Sequence, residues 1–150
     1  RIEHIADIFE TPYIRMFSFY LPENADQKDY RDAVMKRMER MVQEAKASRL
    51  VLLHENEKGI YGDNAARCLD LMKEFYGDHF KATFDFANFI QCGQNTIEAY
   101  EMLKPYIEYV HVKMHVWQTV RLFRQDRRWP VSRNLCTNLT SVWIQGLFES

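Results

Sequence analysis

Three stretches of this chain end apolar runs in groups that ionise: LVLLHENEKG at 50–59, FKATFDFANF at 80–89 and IEYVHVK at 107–113. Each carries one side chain suited to the same task, Glu55, Asp85 and His111. Two carboxylates and an imidazole are a donor set for a divalent cation, and Mn, Mg, Co or Zn would suit it. No thiolate joins the three, which argues against a purely structural zinc. Each residue alone has a plainer reading. Glu55 could be a solvated loop group, Asp85 a cap for the turn that follows it, and His111 a hydrogen-bonded core histidine. The repetition at equivalent places on successive segments favours the joint reading, because carboxylates gather at tolerable cost only around a cation.

For three such groups to meet, the segments must be neighbouring strands that run the same way. YIRMFSFYL (13–21), rich in aromatic residues and stopped by Pro22, reads as a first strand. From Asp26 to Ser48 apolar residues fall at Tyr30, Val34, Met38, Met41 and Ala45, the spacing of one buried helix face. The methionines Met35, Met38 and Met41 read as core filler. LVLLHE (50–55) is the short apolar run of a parallel strand covered on both faces, with His54 alternating away from Glu55. A second helix opens near Gly62 and Asp63, shows Ala65, Leu69, Met72 and Tyr76 on one face, and stops at Gly77. A third strand spans 80–89, a third helix runs from Asn95 and Thr96 to Pro105, and a fourth strand spans 107–113. The β-α-β-α-β-α-β alternation implies an α/β fold with a parallel sheet, either doubly wound or part of a (β/α)8 barrel. Both architectures gather function at the carboxyl ends of the strands.

HENE at 54–57, FDFANF at 84–89 and YVHVK at 109–113 together resemble the sugar phosphate isomerase/epimerase family of xylose isomerase-like TIM barrels. That group also contains inosose dehydratase and type IV AP endonucleases. The resemblance covers residues 1–113 in order. It implies a partial (β/α)8 TIM barrel of about four β/α units, with Glu55, Asp85 and His111 as three of the family's four metal ligands. It places Asn88 and Lys113 beside the substrate, with Asn56 a further candidate for substrate contact. Arg15 could reach a sugar or phosphate oxygen if it points into the barrel, or serve structure alone. The implied activity is metal-dependent isomerisation or epimerisation of a sugar or sugar phosphate, with Glu55 taking a proton beside a carbonyl. An inosose dehydratase-like lyase, an AP endonuclease-like phosphodiesterase and a non-catalytic fragment are the alternatives.

Composition narrows the partners. The chain has 150 residues, 47% of them hydrophobic, with a formal net charge of −1. Five arginines against Asp126 and Glu149 give 114–150 a charge of +3, which leaves −4 on 1–113 and no nucleic-acid footprint there. Cys68, Cys92 and Cys136 are odd in number and widely spaced, which suits a reducing cytoplasm. No apolar run is long enough to span a membrane. A small-molecule sugar partner, no nucleic acid, no membrane and room for a homo-oligomer are the expectations.

The texture changes after Lys113. Trp117, Trp129 and Trp143, the only tryptophans, all lie in 114–150, which contains no Lys and no Ala. Codons for KMHVWQTVRLFRQ can be chosen so that another frame reads DACMADGKIVPA, restoring the HVKD expected of the family. Codons for LCTNLTSVWIQGLFES can likewise be chosen to read FARILRACGYRGFLS in a shifted frame. The segment 114–150 is therefore expected to be an atypical tail arising from out-of-frame translation, and the barrel portion to be truncated. The nucleotide sequence from codon 110 onward is expected to show two small insertions or deletions. An intact frame would instead make the tail an authentic part of the protein.

Overall fold

The structure, a computed structural model, describes residues 2–112. Lys113 and the whole segment 114–150 lie outside them. Four strands, β1 (Tyr13–Met16), β2 (Val51–Glu55), β3 (Phe80–Asp85) and β4 (Ile107–His111), form one sheet in the order β1-β2-β3-β4. Every neighbouring pair is parallel. Helix α1 (Ile2–Ile8) precedes β1, α2 (Gln27–Ala47) joins β1 to β2, and α3 (Ala65–Phe75) joins β2 to β3. A short α4 (Phe86–Gln91) and then α5 (Thr96–Leu103) lead to β4. This is the strand–helix alternation of a barrel wall.

Local chemistry explains the boundaries. Asp26, Asn64 and Asn95 stand at the N-caps of α2, α3 and α5, each accepting a backbone N–H of the first turn. The strands alternate between two faces. Leu52, Phe80, Ala82 and Phe84 join the buried cluster with Val34, Met35, Met38, Leu71 and Met72 of the covering helices. Phe84 is its aromatic centre, with the Phe86, Phe89 and Tyr100 rings at 4.8, 5.0 and 6.0 Å. Burial of each such side chain contributes about 1.5–3 kcal/mol. The opposite face of the strands carries Arg15, Glu55, Asp85 and His111.

Several expectations shift in detail. The first strand ends at Met16 instead of running to 21, and the fourth ends at His111. The third ends at Asp85, and Phe86–Gln91 turns at once into a helix because the Asp85 side chain accepts the Asn88 N–H as an N-cap. Tyr30 and Tyr76 are exposed, whereas Met35 and Leu71 are buried, so the buried faces of α2 and α3 are rotated slightly from the sequence assignment. Met35 and Met38 are core residues as expected, and Met41 packs against the core. The central strands are covered almost throughout, while β1 and β4 at the sheet edges are more exposed. No helix among the described residues is long and apolar enough to cross a membrane.

A cavity of about 810 Å³ lies against the C-terminal half of α2 and the helix-covered face of β1 and β2, with Ile14, Met16, Met41, Leu50 and Leu52 in its wall. None of the three candidate ligands lines it.

Helices α2 and α3 are tied by Arg31, whose Nε and Nη2 each donate to Asp70 at 2.9 Å. The Tyr61 hydroxyl donates to the same carboxylate at 2.7 Å. The Arg31 hydrogen bonds hold the Asp70 carboxyl below its ordinary range, and burial with Asp70 nearby raises the Tyr61 phenol to about 12. A carboxylate depressed on folding contributes stability above its unfolded value, about 3.9, and loses it as pH falls through the lower folded value. Asp70→Asn is expected to lower the Tm by a few degrees at pH 7, with the gap from wild type closing below about pH 4. Thermal scans from pH 7 to 3 would measure it, and a gap independent of pH would refute the assignment.

Candidate metal centre

Parallel register brings the three candidate ligands to one place. Asp85 on β3 is the register partner of His111 on β4, and Glu55 ends the adjoining β2. Ligand atoms from Glu55, Asp85 and His111 lie within 4.8 Å of one another. His111 Nδ1 is 3.2 Å from Glu55 Oε1 and 3.6 Å from Asp85 Oδ2. Both carboxylates are wholly buried and His111 is half-buried. Ionised carboxylates lose several kcal/mol each on leaving water, so such a pair must be offset by positive charge and hydrogen bonds.

Each carboxylate turns one oxygen toward His111 and has the other held from behind. Glu55 Oε2 accepts from Arg15 Nη1 at 3.0 Å, while Oε1 faces the imidazole. Asp85 Oδ1 accepts the Asn88 N–H at 2.9 Å, while Oδ2 faces the imidazole. The two readings of Asp85, cap and ligand, thus coexist on separate oxygens. Two carboxylate oxygens and a ring nitrogen, oriented from behind, fit a divalent cation with oxygen and nitrogen preferences.

Residues 3–142 match the family described as Xylose isomerase-like TIM barrel. The chain belongs to that family. Comparison with curated proteins yields no match. Among solved structures it is similar to a probable 3-DHS dehydratase from Bacillus anthracis, with 19% identity, a TM-score of 0.66, and coverage of 81% of this chain and 47% of that one. It is similar to a xylose isomerase-like TIM barrel protein from Mycobacterium smegmatis in complex with magnesium, with 16% identity, a TM-score of 0.60, and coverage of 75% and 42%. A third is 3-keto-D-glucoside 4-epimerase from E. coli, with 17% identity, a TM-score of 0.53, and coverage of 75% and 50%. At these identities the likeness shows the fold. The chain spans about half the length, or less, of each of these proteins.

Within this xylose isomerase-like barrel wall the other expected site residues divide. Arg15 points to the site face and touches Glu55, with its guanidinium carbon 5.2 Å from the Phe17 ring centroid. Asn88 is a hub, its Nδ2 lying 2.8 Å from Asn56 O, 3.3 Å from Glu57 Oε2 and 3.4 Å from Glu55 Oε1. Asn56 is buried, and both ends of its amide go to the Asp85 backbone: Nδ2 donates to Asp85 O at 3.0 Å and Oδ1 accepts from Asp85 N at 2.9 Å. Lys113 lies outside the described residues.

His54 faces the other layer, as its alternation requires. It is buried beside Phe80 and so close to Gly62 that a Cβ there would come within 2.5 Å of its Cε1. Burial lowers its pKa to about 4 against a smaller opposing pull from Glu55, so the ring is neutral at neutral pH. Cys68 is a buried thiol donating to Gly62 O, raised by burial out of the reactive range. Two residues near the site were not singled out from the sequence. Thr83, on the strand position paired with Glu55, is buried with no hydrogen-bond partner for Oγ1 among the described residues. Glu57 reaches Asn88 from the loop after β2. The signal for Glu57 was present in HENE; Thr83 left none.

Asn56→Ala would leave the buried N–H and C=O of Asp85 without their side-chain partners. It is expected to cost about 2–4 kcal/mol of stability, one to two kcal/mol for each group left unpaired. Chemical denaturation measures this, and a loss under about 0.5 kcal/mol would show that the amide does not lock the two strand ends.

Proposed function

We propose that Glu55, Asp85 and His111 hold a divalent cation, Mn, Mg, Co or Zn, and that the protein is a metal-dependent isomerase or epimerase acting on a sugar or sugar phosphate. The observation that carries this reading is the meeting of the three groups at the carboxyl ends of adjacent parallel strands, each carboxylate steadied through its second oxygen. A bound cation would act as a Lewis acid toward a substrate carbonyl and its neighbouring hydroxyl, acidifying the C–H beside them. Glu55 is the base that takes that proton. Asn88 Nδ2 stands 3.4 Å from its Oε1, and Arg15 Nη1 donates to its Oε2 at 3.0 Å. Return of the proton to the neighbouring carbon gives isomerisation; return to the same carbon from the opposite face, by a second group, gives epimerisation. Loss of the adjacent hydroxide after the same first step gives dehydration, so product analysis separates a lyase from an isomerase.

Asn56 is assigned to positioning, since its amide is committed to the Asp85 backbone. A phosphodiesterase using several zinc ions finds less support. Of the histidines, His54 faces the helix-covered layer and His79 bonds Leu50 O at the other end of the sheet, so among the described residues His111 alone joins the site.

Calorimetric titration with each of the four cations tests the reading, using Asp85→Asn and Glu55→Gln. Asparagine can still cap α4 through its side-chain oxygen, so the first variant removes charge while preserving the local fold. Each variant is expected to weaken cation binding at least about 100-fold, since losing even a group behind the ligands costs 10–100-fold. With Mn in deuterated water, wild type is expected to exchange the C–H beside the carbonyl of a keto-sugar, and Glu55→Gln to have lost that exchange. Equal cation affinity in all three proteins would sink the proposal.

A further inference from the structure

Arg15 is the site's least committed polar group. Its Nη1 meets Glu55 Oε2 at 3.0 Å, yet its side chain is 50% exposed while Glu55 is fully buried. A guanidinium has five N–H donors in a planar fork, a shape matched to carboxylate and phosphate oxygens. The Phe17 ring supports that fork from one side. The other cation on this face of the described strands, Lys81, is paired at 2.8 Å with Glu108, which also accepts from the Tyr13 hydroxyl at 2.9 Å. That cluster stands toward the amino ends of the strands, away from the three ligands.

The position of Arg15 has an electrostatic consequence. Glu55 turns Oε2 to Arg15 and Oε1 to the point shared with His111. A cation at that point and the guanidinium would share one carboxylate from its two sides and repel each other. An anion reaching both relieves the repulsion and meets donors that are already in place. We infer that Arg15 is the anion-recognising group of this site, taking a phosphate or carboxylate of the substrate, so that the site selects an acidic sugar over a neutral one. This rests on the cation reading above and deepens it. It also requires linkage: whatever factor the cation contributes to anion affinity, the anion must contribute to cation affinity.

Inorganic phosphate and glycolate, titrated calorimetrically into the full 150-residue chain with and without Mn, test this directly. Mn is expected to tighten binding of at least one anion by about 10-fold, within the usual range for coupled sites. Arg15→Met is expected to abolish that anion's binding while Mn affinity stays equal or rises. Arg15→Lys should restore part of it, as a point charge without the fork. The anion that responds identifies the acidic group, phosphate or carboxylate. If Mn binds wild type but neither anion responds to it, the inference fails and the cation site stands. If Arg15→Met weakens Mn while leaving anion binding intact, Arg15 is only a clamp on Glu55, which also overturns it. If Mn does not bind wild type at all, the cation reading and this inference fall together.

Discussion

Two carboxylates buried side by side are the constraint around which this protein is arranged. Glu55 and Asp85 close adjacent strands with no exposure to solvent, and each ionised group is costly in that position. What surrounds them reduces the cost. Arg15 brings a charge to one, the N-terminus of α4 brings the Asn88 N–H to the other, and the Asn88 side-chain amide leans on the first. Each of these contacts also fixes where the remaining oxygen points. The groups that make burial tolerable are therefore the groups that define the site.

The parallel sheet makes that economy possible because each strand serves two environments. In β2, Leu52 and His54 face the helices while Leu53 and Glu55 face the site side. Two consecutive ionisable residues thus meet opposite fates: His54 is driven neutral by burial against Phe80 and Gly62, while Glu55 keeps polar partners. Register then does the long-range positioning. The pairing of Asp85 with His111 needs only that β3 and β4 hold their alignment, which the sheet hydrogen bonds impose. A register shift between Ala82 and Thr83 adjusts that alignment just below the site.

The parts of this arrangement legible in the sequence are those written in local pattern. The strand–helix alternation followed from apolar spacing, and the three candidate ligands stood out because each interrupts an apolar run at its end. What escaped is long-range or ambiguous in composition. FANF after Asp85 is as aromatic as the strand before it, so only the side-chain cap, a three-dimensional fact, reveals the turn into α4. The Asn56 amide bonds a backbone group 29 positions away, a contact that its place beside Glu55 does not announce. Tyr30 and Tyr76 fit the apolar spacing of their helices but lie where the sheet does not reach, and periodicity carries no information about how far a covering layer extends.

Rigidity is distributed unevenly across the site, in a way that suits chemistry on a small polar substrate. The floor comes from β2 and β3, the two central strands, whose ends are locked together by the reciprocal Asn56–Asp85 bonds. The flanks come from the strands on either side, Arg15 from β1 and His111 from β4, and both of these side chains keep contact with solvent among the described residues. In the proposed reaction the carboxylate that would accept a proton benefits from the fixed position, since misplacement by about 1 Å can cost 100-fold in rate. In that reaction the guanidinium or imidazole would yield to an incoming ligand and benefits from the exposed position, because its departure from a carboxylate can be offset by water. The order of the described strands thus sets the groups that hold geometry between the groups that could exchange partners.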